Sequence, residues 1–495
     1  MAVEEEYIRL IFGLKLKQIR TERTLSLFGL SKLTGLSKSY LNEIEKGKKY
    51  PKTDKIVLLS EALDVPYDHF VSLKLDKNLA PIGEILQSKI LKEIPLEVFG
   101  IKESNLIDII ANAPVKVNAF ISTLIKIAQH YSVTRESFFL AALRSYQEAQ
   151  NNYFEDIESL VEEFSKAYHI DLTKKVSTNE LEDILLEEYK YTINTEELDL
   201  HENLQELRSI FIAKNNTLLM SNFIDESQKR FIYSKEIAYN YMNTTDRLYT
   251  FPWIKFGNFD QVLNNFLASY FAGALLIPKN RLIDEVKAFF QSTSWNQDAF
   301  ITLMNHFTNS PETFYQRLTN ILPKQFHFKN LFFLRFTHNI NKSTYTLNKE
   351  LHITQQQAPR ANESNEHYCR RWVSLRTLDI LAKQPKQKHV FDIQISDYPD
   401  SNSQYLIFSS ATADPFKKNS NRSVSIGILI SSHLKKHIHF LEDPSIKTVQ
   451  VGVTCETCAI ENCKERVVES SQLGRKKRHK KVENIVDTIM DKFSK

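Results

Sequence analysis

Cysteine is nearly missing from this chain, with four residues in 495. So few thiols exclude a disulfide-stapled extracellular scaffold and fit a reducing compartment. Glycine and proline are scarce too, at 11 and 14, which argues against long disordered or low-complexity tracts. No charge of one sign dominates: the formal net charge is +4. Whole-chain charge therefore carries no argument for nucleic acid, and only local clustering can. Long hydrophobic runs are lacking as well. The longest apolar stretch, F-L-A-S-Y-F-A-G-A-L-L-I-P from Phe266 to Pro278, is too short to span a bilayer and contains polar positions. The chain opens M-A-V-E-E-E-Y-I-R-L, acidic where a signal peptide is basic, and no apolar core follows. The expectation is a cytoplasmic protein without a membrane partner.

What is present is an ordinary globular composition, 42% hydrophobic and 25% charged, long enough for several domains. The first seventy residues read as short helices. Ile11, Leu14, Leu16 and Ile19 form one apolar face, with Lys15, Lys17 and Arg20 expected outside it. A second helix covers Leu27 to Leu33, Gly35 supplies a turn, and Ser37 is an N-cap for a third helix that Gly47 ends. A fourth runs from Thr53 to Leu63, with Thr53-Asp54 as cap and first turn and Ile56, Leu58, Leu59 and Leu63 packing it. Helix, glycine turn and second helix make a helix-turn-helix. The stretch L-S-K-L-T-G-L-S-K-S-Y-L-N-E-I-E-K-G-K-K-Y-P resembles the XRE (Cro/cI-type) family. That resemblance implies a five-helix, lambda-repressor-like head whose recognition helix runs from Lys38 to Lys46. Ser37, Lys38, Ser39 and Tyr40 would face the major groove and its phosphates. Asn42 would reach a base edge, since an amide matches the donor–acceptor pair of adenine. Lys46, Lys48, Lys49 and Lys52 would sit on phosphates. Leu27 stands where the family usually has Gln, so one polar buttress of the readout is missing.

From Leu79 to about Ile170 the periodicity is helical. N-A-F-I-S-T-L-I-K-I-A-Q-H-Y and E-S-F-F-L-A-A-L-R-S-Y-Q-E-A-Q are amphipathic and suit a linker bundle or a dimer surface. Around Tyr191 the pattern turns to alternation. Y-T-I-N-T-E-E-L and S-I-F-I-A-K-N-N-T-L-L-M-S read as strands, with Lys214-Asn215-Asn216 as a turn. A helix, E-S-Q-K-R-F-I-Y-S-K-E-I-A-Y-N-Y-M, follows, and then A-S-Y-F-A-G-A-L-L-I-P. This order resembles the ImmA/IrrE-type domain, whose active members are zinc-metallopeptidase relatives. A zincin helix needs H-E-x-x-H. Here Lys235-Glu236-Ile237-Ala238-Tyr239 occupies that place, and Leu267 is taken as the third-ligand position. A protonated ammonium cannot ligate zinc, so no catalytic residue is assigned and the chain is expected not to be an enzyme. Lys235 and Glu236 are expected on a helix surface. A metal-free relative keeps a cleft, for which Tyr239, Tyr241, Tyr270 and Phe271 are candidate linings, although core packing is the simpler reading of each.

The last third again alternates. L-F-F-L-R-F-T, H-V-F-D-I-Q-I, S-Q-Y-L-I-F-S-S-A and S-V-S-I-G-I-L-I suggest an antiparallel sheet. Then comes V-G-V-T-C-E-T-C-A-I-E-N-C-K-E-R-V, with Cys455, Cys458 and Cys463 within nine residues. A C-x-x-C pair grips one metal from a tight turn, and soft thiolates suit zinc or an iron–sulfur cluster. Cys369 is the remaining cysteine and the candidate fourth ligand, with His367 as fallback. Lys464, Arg466, Arg370 and Arg371 flank these positions and would offset thiolate charge. The basic run Arg475 to Lys481 precedes a short amphipathic segment.

Taken together, the XRE head, helical linker, ImmA/IrrE-like part and G-V-x-C-x-x-C-x-x-x-x-C-x-x-R block resemble the short-chain fatty acyl transcriptional regulator family. C-R-R-W at Cys369 to Trp372 resembles that family's C-P-x-W segment. The resemblance implies a bacterial transcription factor of acetate, glyoxylate or propionate metabolism, with an acyl-CoA as possible effector. The expected architecture is multidomain, mainly α with an α+β C-terminal part. Its expected divisions are 1–75 (helix-turn-helix), 76–170 (helical linker and dimerisation), 171–325 (metallopeptidase-like α+β), 326–470 (β-rich with the cysteines) and 471–495 (basic tail and short helix). The expected partners are a double-stranded DNA operator, a second copy of the chain and a small-molecule effector. Two rival readings remain open: a redox or metal sensor using the cysteines, and a peptidase.

Overall fold

The computed structural model describes residues 2–73, 135–204, 206–251, 257–353, 367–384 and 386–493, the last without 400, 415 and 418. The amphipathic N-A-F-I-S-T-L-I-K-I-A-Q-H-Y segment lies outside the described residues. The chain forms two compact units, divided close to Ala142 and Leu143.

Among its described residues, the first unit opens with α1 (Ala2–Glu22), α2 (Leu27–Thr34), α3 (Lys38–Glu45), α4 (Thr53–Ala62) and α5 (Tyr67–Val71). Their apolar faces meet in one core built on Phe12, Leu16, Ile19, Leu30, Leu41, Ile44, Leu59 and Phe70. Ser26 and Ser37 cap α2 and α3, accepting from the N–H groups of Gly29 and Tyr40, and so satisfy donors the first helical turn leaves open. Gly35 sits at φ +67°, the left-handed conformation that glycine adopts without strain. At α4 the cap differs from expectation. Lys52 holds the cap position without a side-chain bond, and Thr53 is already helical.

Two expected surface cations of α1 are drawn inward. Lys15 is 3% exposed, because its ammonium donates to the carbonyls of His69 and Ser72 at the end of α5, 2.7 and 2.5 Å away. Those carbonyls have no partner inside their own helix. Arg20 forms a two-pronged pair with Glu45 of α3, at 2.6 and 2.9 Å, and also donates to the Leu25 carbonyl. An Arg stem packs along apolar surface while its head finds acceptors, so periodicity alone misplaced it.

The second unit holds α6 (Arg135–Ala149, from residue 143 on), α7 (Glu155–Ala167), α8 (Thr178–Asp183), α9 (Glu226–Tyr241), α10 (Phe259–Leu276, from residue 260 on), α11 (Lys279–Phe290), α12 (Gln297–Phe307) and α13 (Pro311–Gln325). A small sheet of β1 (Thr192–Asn194), β2 (Ser209–Ile212), β3 (Thr217–Met220) and β4 (Thr250–Phe251) accompanies them in the order β1-β3-β2-β4. The β2–β3 hairpin turns through the expected Lys214-Asn215-Asn216, with Asn216 at φ +50°. A larger sheet follows, made of β5 (Leu331–Asn339), β6 (Thr344–Ile353), β7 (His389–Tyr398), β8 (Ser403–Ala413), β9 (Ser420–Leu429) and β10 (Lys447–Gln450), in the order β10-β7-β8-β9-β5-β6. It is antiparallel except where β10 joins β7 in parallel. The edge strand β6 escaped the sequence reading. Its burial alternates only weakly at its start, as an edge strand's does. Helix α14 (Val373–Lys383) lies on β7, β8 and β9. α15 (Ser432–His437) and a long terminal helix, α16 (Ser471–Phe493), complete the unit.

One core runs through this unit. Phe164 and Tyr239 of the helical part, Phe314 of α13, and Phe333, Phe408 and Ile426 of the large sheet belong to the same buried cluster. Phe300 of α12 stacks on Phe408 of β8 with ring centres 5.0 Å apart. The metallopeptidase-like helices and the C-terminal sheet therefore share a continuous hydrophobic interior.

Candidate DNA-reading helix, buried ion-pair centre and thiol cluster

Helix α3 is anchored from beneath and open above. Leu41 and Ile44 are buried, and Glu45 is tied to Arg20. Gly13 of α1 lets the two helices touch: a Cβ there would lie 2.3 Å from the Ile44 carbonyl oxygen. On the other face Ser37, Lys38, Ser39, Lys46, Lys48, Lys49 and Lys52 are all exposed, while Tyr40 and Asn42 are half-buried beside them. Lys49 pairs with Glu43 at 2.8 Å and lies 6.0 Å from the Tyr40 ring centre. Every residue expected to touch DNA is thus exposed or half-buried, and none is in the core of the head.

The zincin-like position is a closed electrostatic centre. Lys235 and Glu236 are each 6% exposed, which corrects their expected place on a helix surface. The ammonium of Lys235 donates to Asn265 Oδ1 at 2.6 Å. Burial pulls its pKa down to about 8, Glu236 opposing and Arg247 adding to the effect. Glu236 Oε2 accepts from Arg247 at 2.6 Å and from the Tyr191 hydroxyl at 3.0 Å. The Arg247 guanidinium lies over Phe211 at 3.6 Å and faces Tyr239 at 4.7 Å. The α10 residue that meets the pair is Asn265, which also accepts from the Tyr239 hydroxyl at 3.4 Å. It is not Leu267, since helix positions two apart point to different sides. Lys235, Tyr239 and Asn265 thus form one hydrogen-bonded cluster beside the Glu236–Arg247 pair, and two basic side chains supply positive charge there. The acidic residue that a peptidase would use as general base is bound to a guanidinium.

Of the aromatics considered for a ligand cleft, Tyr239, Tyr270 and Phe271 are core residues and Tyr241 packs half-buried against Phe164. The Tyr270 hydroxyl donates to Glu158, which forms a buried double bridge with Arg317 at 2.6 and 3.0 Å. The open cleft lies nearby, between α9, α10 and α13 on one side and β6 to β9 on the other. Its volume is about 580 Å³. Arg208, Lys349, Lys388 and Arg422 line it against two carboxylates, Asp225 and Glu312. Burial opposes ionisation of Glu312, yet the charges of Arg335, Lys349, Arg422 and Arg208 outweigh it and hold the carboxyl well below its usual range. Arg335 and Arg422 bridge Glu312 at 2.9 and 3.7 Å, and Arg422 bridges Asp414 at 2.6 Å. Burial in the cleft walls lowers Lys349 to about 8, although its side chain stays open to the cleft's own water. No sequence period marks this constellation, because its members come from six separate stretches of the chain.

The four cysteines are gathered by backbone pairing. A bridge between Tyr368 and Thr454 sets the two segments side by side, with Cys369 N–H donating to Val453 and Cys455 N–H to His367. Cys369, Cys455, Cys458 and Cys463 line one small cavity. Gly452 makes room for it, since a Cβ there would lie 2.8 Å from Cys458 Sγ. Burial pushes the Cys369 thiol up to about 11, with the neighbouring Cys458 and Cys455 adding to the shift. His367 turns to Glu456 at 2.7 Å instead. Arg466 donates to the carbonyls of Cys455 and Ile460, and Arg370 stacks on Tyr345 at 4.0 Å. Among the described residues, no three His, Cys, Asp or Glu side chains already stand in metal-holding geometry. The donor chemistry of four thiols fits a thiophilic metal.

Two family models match the chain. One describes a helix-turn-helix and covers residues 16–70. The other describes an IrrE N-terminal-like domain and covers residues 189–319. The chain joins an XRE-type helix-turn-helix to an IrrE-like domain. The HTH-type transcriptional regulator RamB of Mycobacterium tuberculosis, in two strains, is 22% identical over 490 residues, covering 94% of this chain and 95% of the relative. A solved Mycobacterium tuberculosis transcriptional regulator is 18% identical with a TM-score of 0.47, covering 66% of this chain and 93% of that one. The IrrE-like match embraces Lys235, Glu236, Arg247 and Asn265. Among the described residues no helix is long and apolar enough to cross a membrane.

Proposed function

We propose that this DNA-binding transcriptional regulator reads its operator through α3 and adjusts that reading to an anionic metabolite bound between the IrrE-like helices and the large sheet. The observation that carries the reading is the exposed Ser37, Lys38 and Ser39 at the start of α3, followed by the exposed Lys46, Lys48, Lys49 and Lys52, on a head whose helices share one core. Ser37, Lys38, Ser39, Tyr40 and Asn42 contact the major groove, and Lys46, Lys48, Lys49 and Lys52 hold phosphates. The cleft supports the second half. Four basic residues against two carboxylates favour an anionic ligand, and a volume of about 580 Å³ accommodates a small molecule. By resemblance to the short-chain fatty acyl regulators, that ligand is an acyl-CoA or a compound like it. The protein works in the cytoplasm, where DNA and such metabolites occur.

The IrrE-like domain serves here as a scaffold without catalysis. Lys235, Tyr239 and Asn265 offer no zinc-ligand set, and Arg247 occupies Glu236. Cys369, Cys455, Cys458 and Cys463 would hold a zinc ion or an iron–sulfur cluster. Either group would cross-link two segments some ninety residues apart, and a cluster would add a redox input. That second reading, a redox-responsive regulator, is favoured by one feature. Glu456, between two cysteines, accepts from Ser471 N–H at 2.8 Å at the start of α16, so the thiol loop sets where that helix begins.

The test is selection of bound duplexes from a randomised DNA library with the full chain, followed by titration of the enriched sequence at several salt concentrations. Asn42→Ala is expected to relax preference at one base position with a loss of about 1–3 kcal/mol. Lys48→Ala is expected to weaken all sequences alike and reduce the salt slope by about one. Failure to enrich any sequence, or an unchanged preference in Asn42→Ala, would refute the assignment of α3.

A further inference from the structure

Helix α16 carries a block of positive charge near its start. Six of the seven residues 475–481 are Lys or Arg, and none is acidic. The whole chain has a formal charge of only +4, so the residues outside this block are net negative. Arg475, Lys476, Arg478, Lys480 and Lys481 are all exposed. Among the described residues the block makes one ion pair, Lys476 with Glu461 at 3.4 Å. Both partners are open to water, so that pair neutralises little. The base of the helix is nonetheless fixed. Ser470, 7% exposed, accepts from Leu473 N–H at 3.2 Å. Ser471 donates to the Glu456 carbonyl from its N–H and its hydroxyl, at 2.8 and 3.0 Å. Like charges three and four residues apart on a helix repel, so the block strains the free chain and a polyanion would relieve it.

We propose that residues 475–481 bind the phosphate backbone of duplex DNA, as a contact additional to that of α3 and independent of base sequence. At the rise of an α-helix the block presents roughly one positive charge per 1.75 Å of axis, close to the one negative charge per about 1.7 Å of duplex DNA. Lys476 reaches back to Glu461. Arg475, Arg478 and Lys481, spaced by three, line the side turned away from Lys476, and these three meet the phosphates. The choice of polyanion follows from the chain itself. Its head is a helix-turn-helix, and a duplex held there stands at high effective concentration for any basic segment tethered to it. A lipid surface fits less well. An interfacial helix sets an apolar face against its cations within the same turns, and 475–481 contains no apolar residue. Phosphate contacts of this kind add affinity and salt dependence without adding specificity.

The experiment is fluorescence-anisotropy titration of the full chain against a random-sequence duplex and against the duplex its head enriches, from about 50 to 200 mM salt. Arg475→Gln with Arg478→Gln and Lys481→Gln is expected to make the slope of log affinity against log salt shallower by about 2.7 on both duplexes, about 0.9 for each lost contact. Base preference and the thermal midpoint are expected to stay, because the three side chains are exposed. Arg475→Lys with Arg478→Lys is expected to keep the wild-type slope. An unchanged slope in the triple glutamine variant overturns the proposal, and so does a loss confined to the enriched duplex. A slope lost equally in the lysine variant shows that charge is not the cause and overturns it too. Wild-type binding to phosphatidylserine vesicles that the glutamines abolish, with the DNA slope intact, assigns the block to a lipid surface instead. The random-sequence duplex reads the block without the base contacts of α3, so failure here and failure of the α3 assignment are told apart.

Discussion

Glu236→Gln separates a silent scaffold from an enzyme. In a zinc peptidase this change removes the general base and leaves the fold largely unharmed. Here Glu236 is the counter-charge of Arg247, whose side chain is 6% exposed. The glutamine keeps the volume and one acceptor oxygen but removes the negative charge. Arg247 would keep the amide oxygen and the Tyr191 hydroxyl, the latter at 3.4 Å from each terminal nitrogen, but no counter-charge, and its Nε has no partner within hydrogen-bond reach. Breaking one side of a buried pair costs about 3–5 kcal/mol. The retained amide acceptor places the expected loss near the lower end, about 3 kcal/mol, or roughly a 150-fold change in the unfolding constant. Replacing both residues, as Glu236→Met with Arg247→Met, should recover most of that loss, because the desolvation cost of both charges disappears. Equilibrium urea unfolding of the full chain, followed by the fluorescence of its three tryptophans, measures both. A Glu236→Gln variant within 1 kcal/mol of wild type would refute the ion-pair reasoning. Zinc-dependent proteolysis that this variant abolishes would refute the scaffold reading as well.

Gly13→Ala is expected to push α1 and α3 apart and cost the head about 1–3 kcal/mol through overpacking, read as an earlier thermal transition of the head and weaker DNA binding. Cys455→Ser is expected to lower metal content per chain and the thermal midpoint together. Protein purified without air should carry zinc, or iron with sulfide, and a metal-free wild type would refute the thiol-site reading. Arg317 holds Glu158 below the usual carboxylate range despite the opposing effect of burial. The unfolded chain therefore binds more protons than the fold on the acid side, so this pair's stabilisation is full above about pH 4.5 and is lost as pH falls further. Arg317→Met should flatten that part of the stability–pH profile, and an unchanged acid limb would refute the assignment.

The head was legible in the sequence because its determinants are local. Serine caps, the turn at Gly35 and a 3.6-residue apolar period each act within a few residues, and they set α2, α3 and the side of α3 that faces outward. That Lys235 and Tyr239 stand one turn apart was legible for the same reason, since both lie on a single helix. The C-x-x-C spacing likewise placed Cys455 and Cys458 close together. Other features were settled only by the tertiary structure. Arg20 finding Glu45, Lys15 finding the end of α5 and Arg247 finding Glu236 depend on partners 25, 54 and 11 residues away. A charged side chain on a helix looks solvated until packing supplies its counter-charge. Asn265 replaced Leu267 at the zincin-like centre because the rotation of α10 in the core, not its sequence offset, chose which side chain points in. The cationic cleft drew its members from six separate stretches of the chain, so no window of sequence contained it. The sequence by itself determined the local helices and which residues of α3 stay out of the core, short-range consequences of backbone and side-chain chemistry. The tertiary fold alone decided which charges are paired and which line a cleft, because Coulomb and desolvation energies depend on distances that only packing creates.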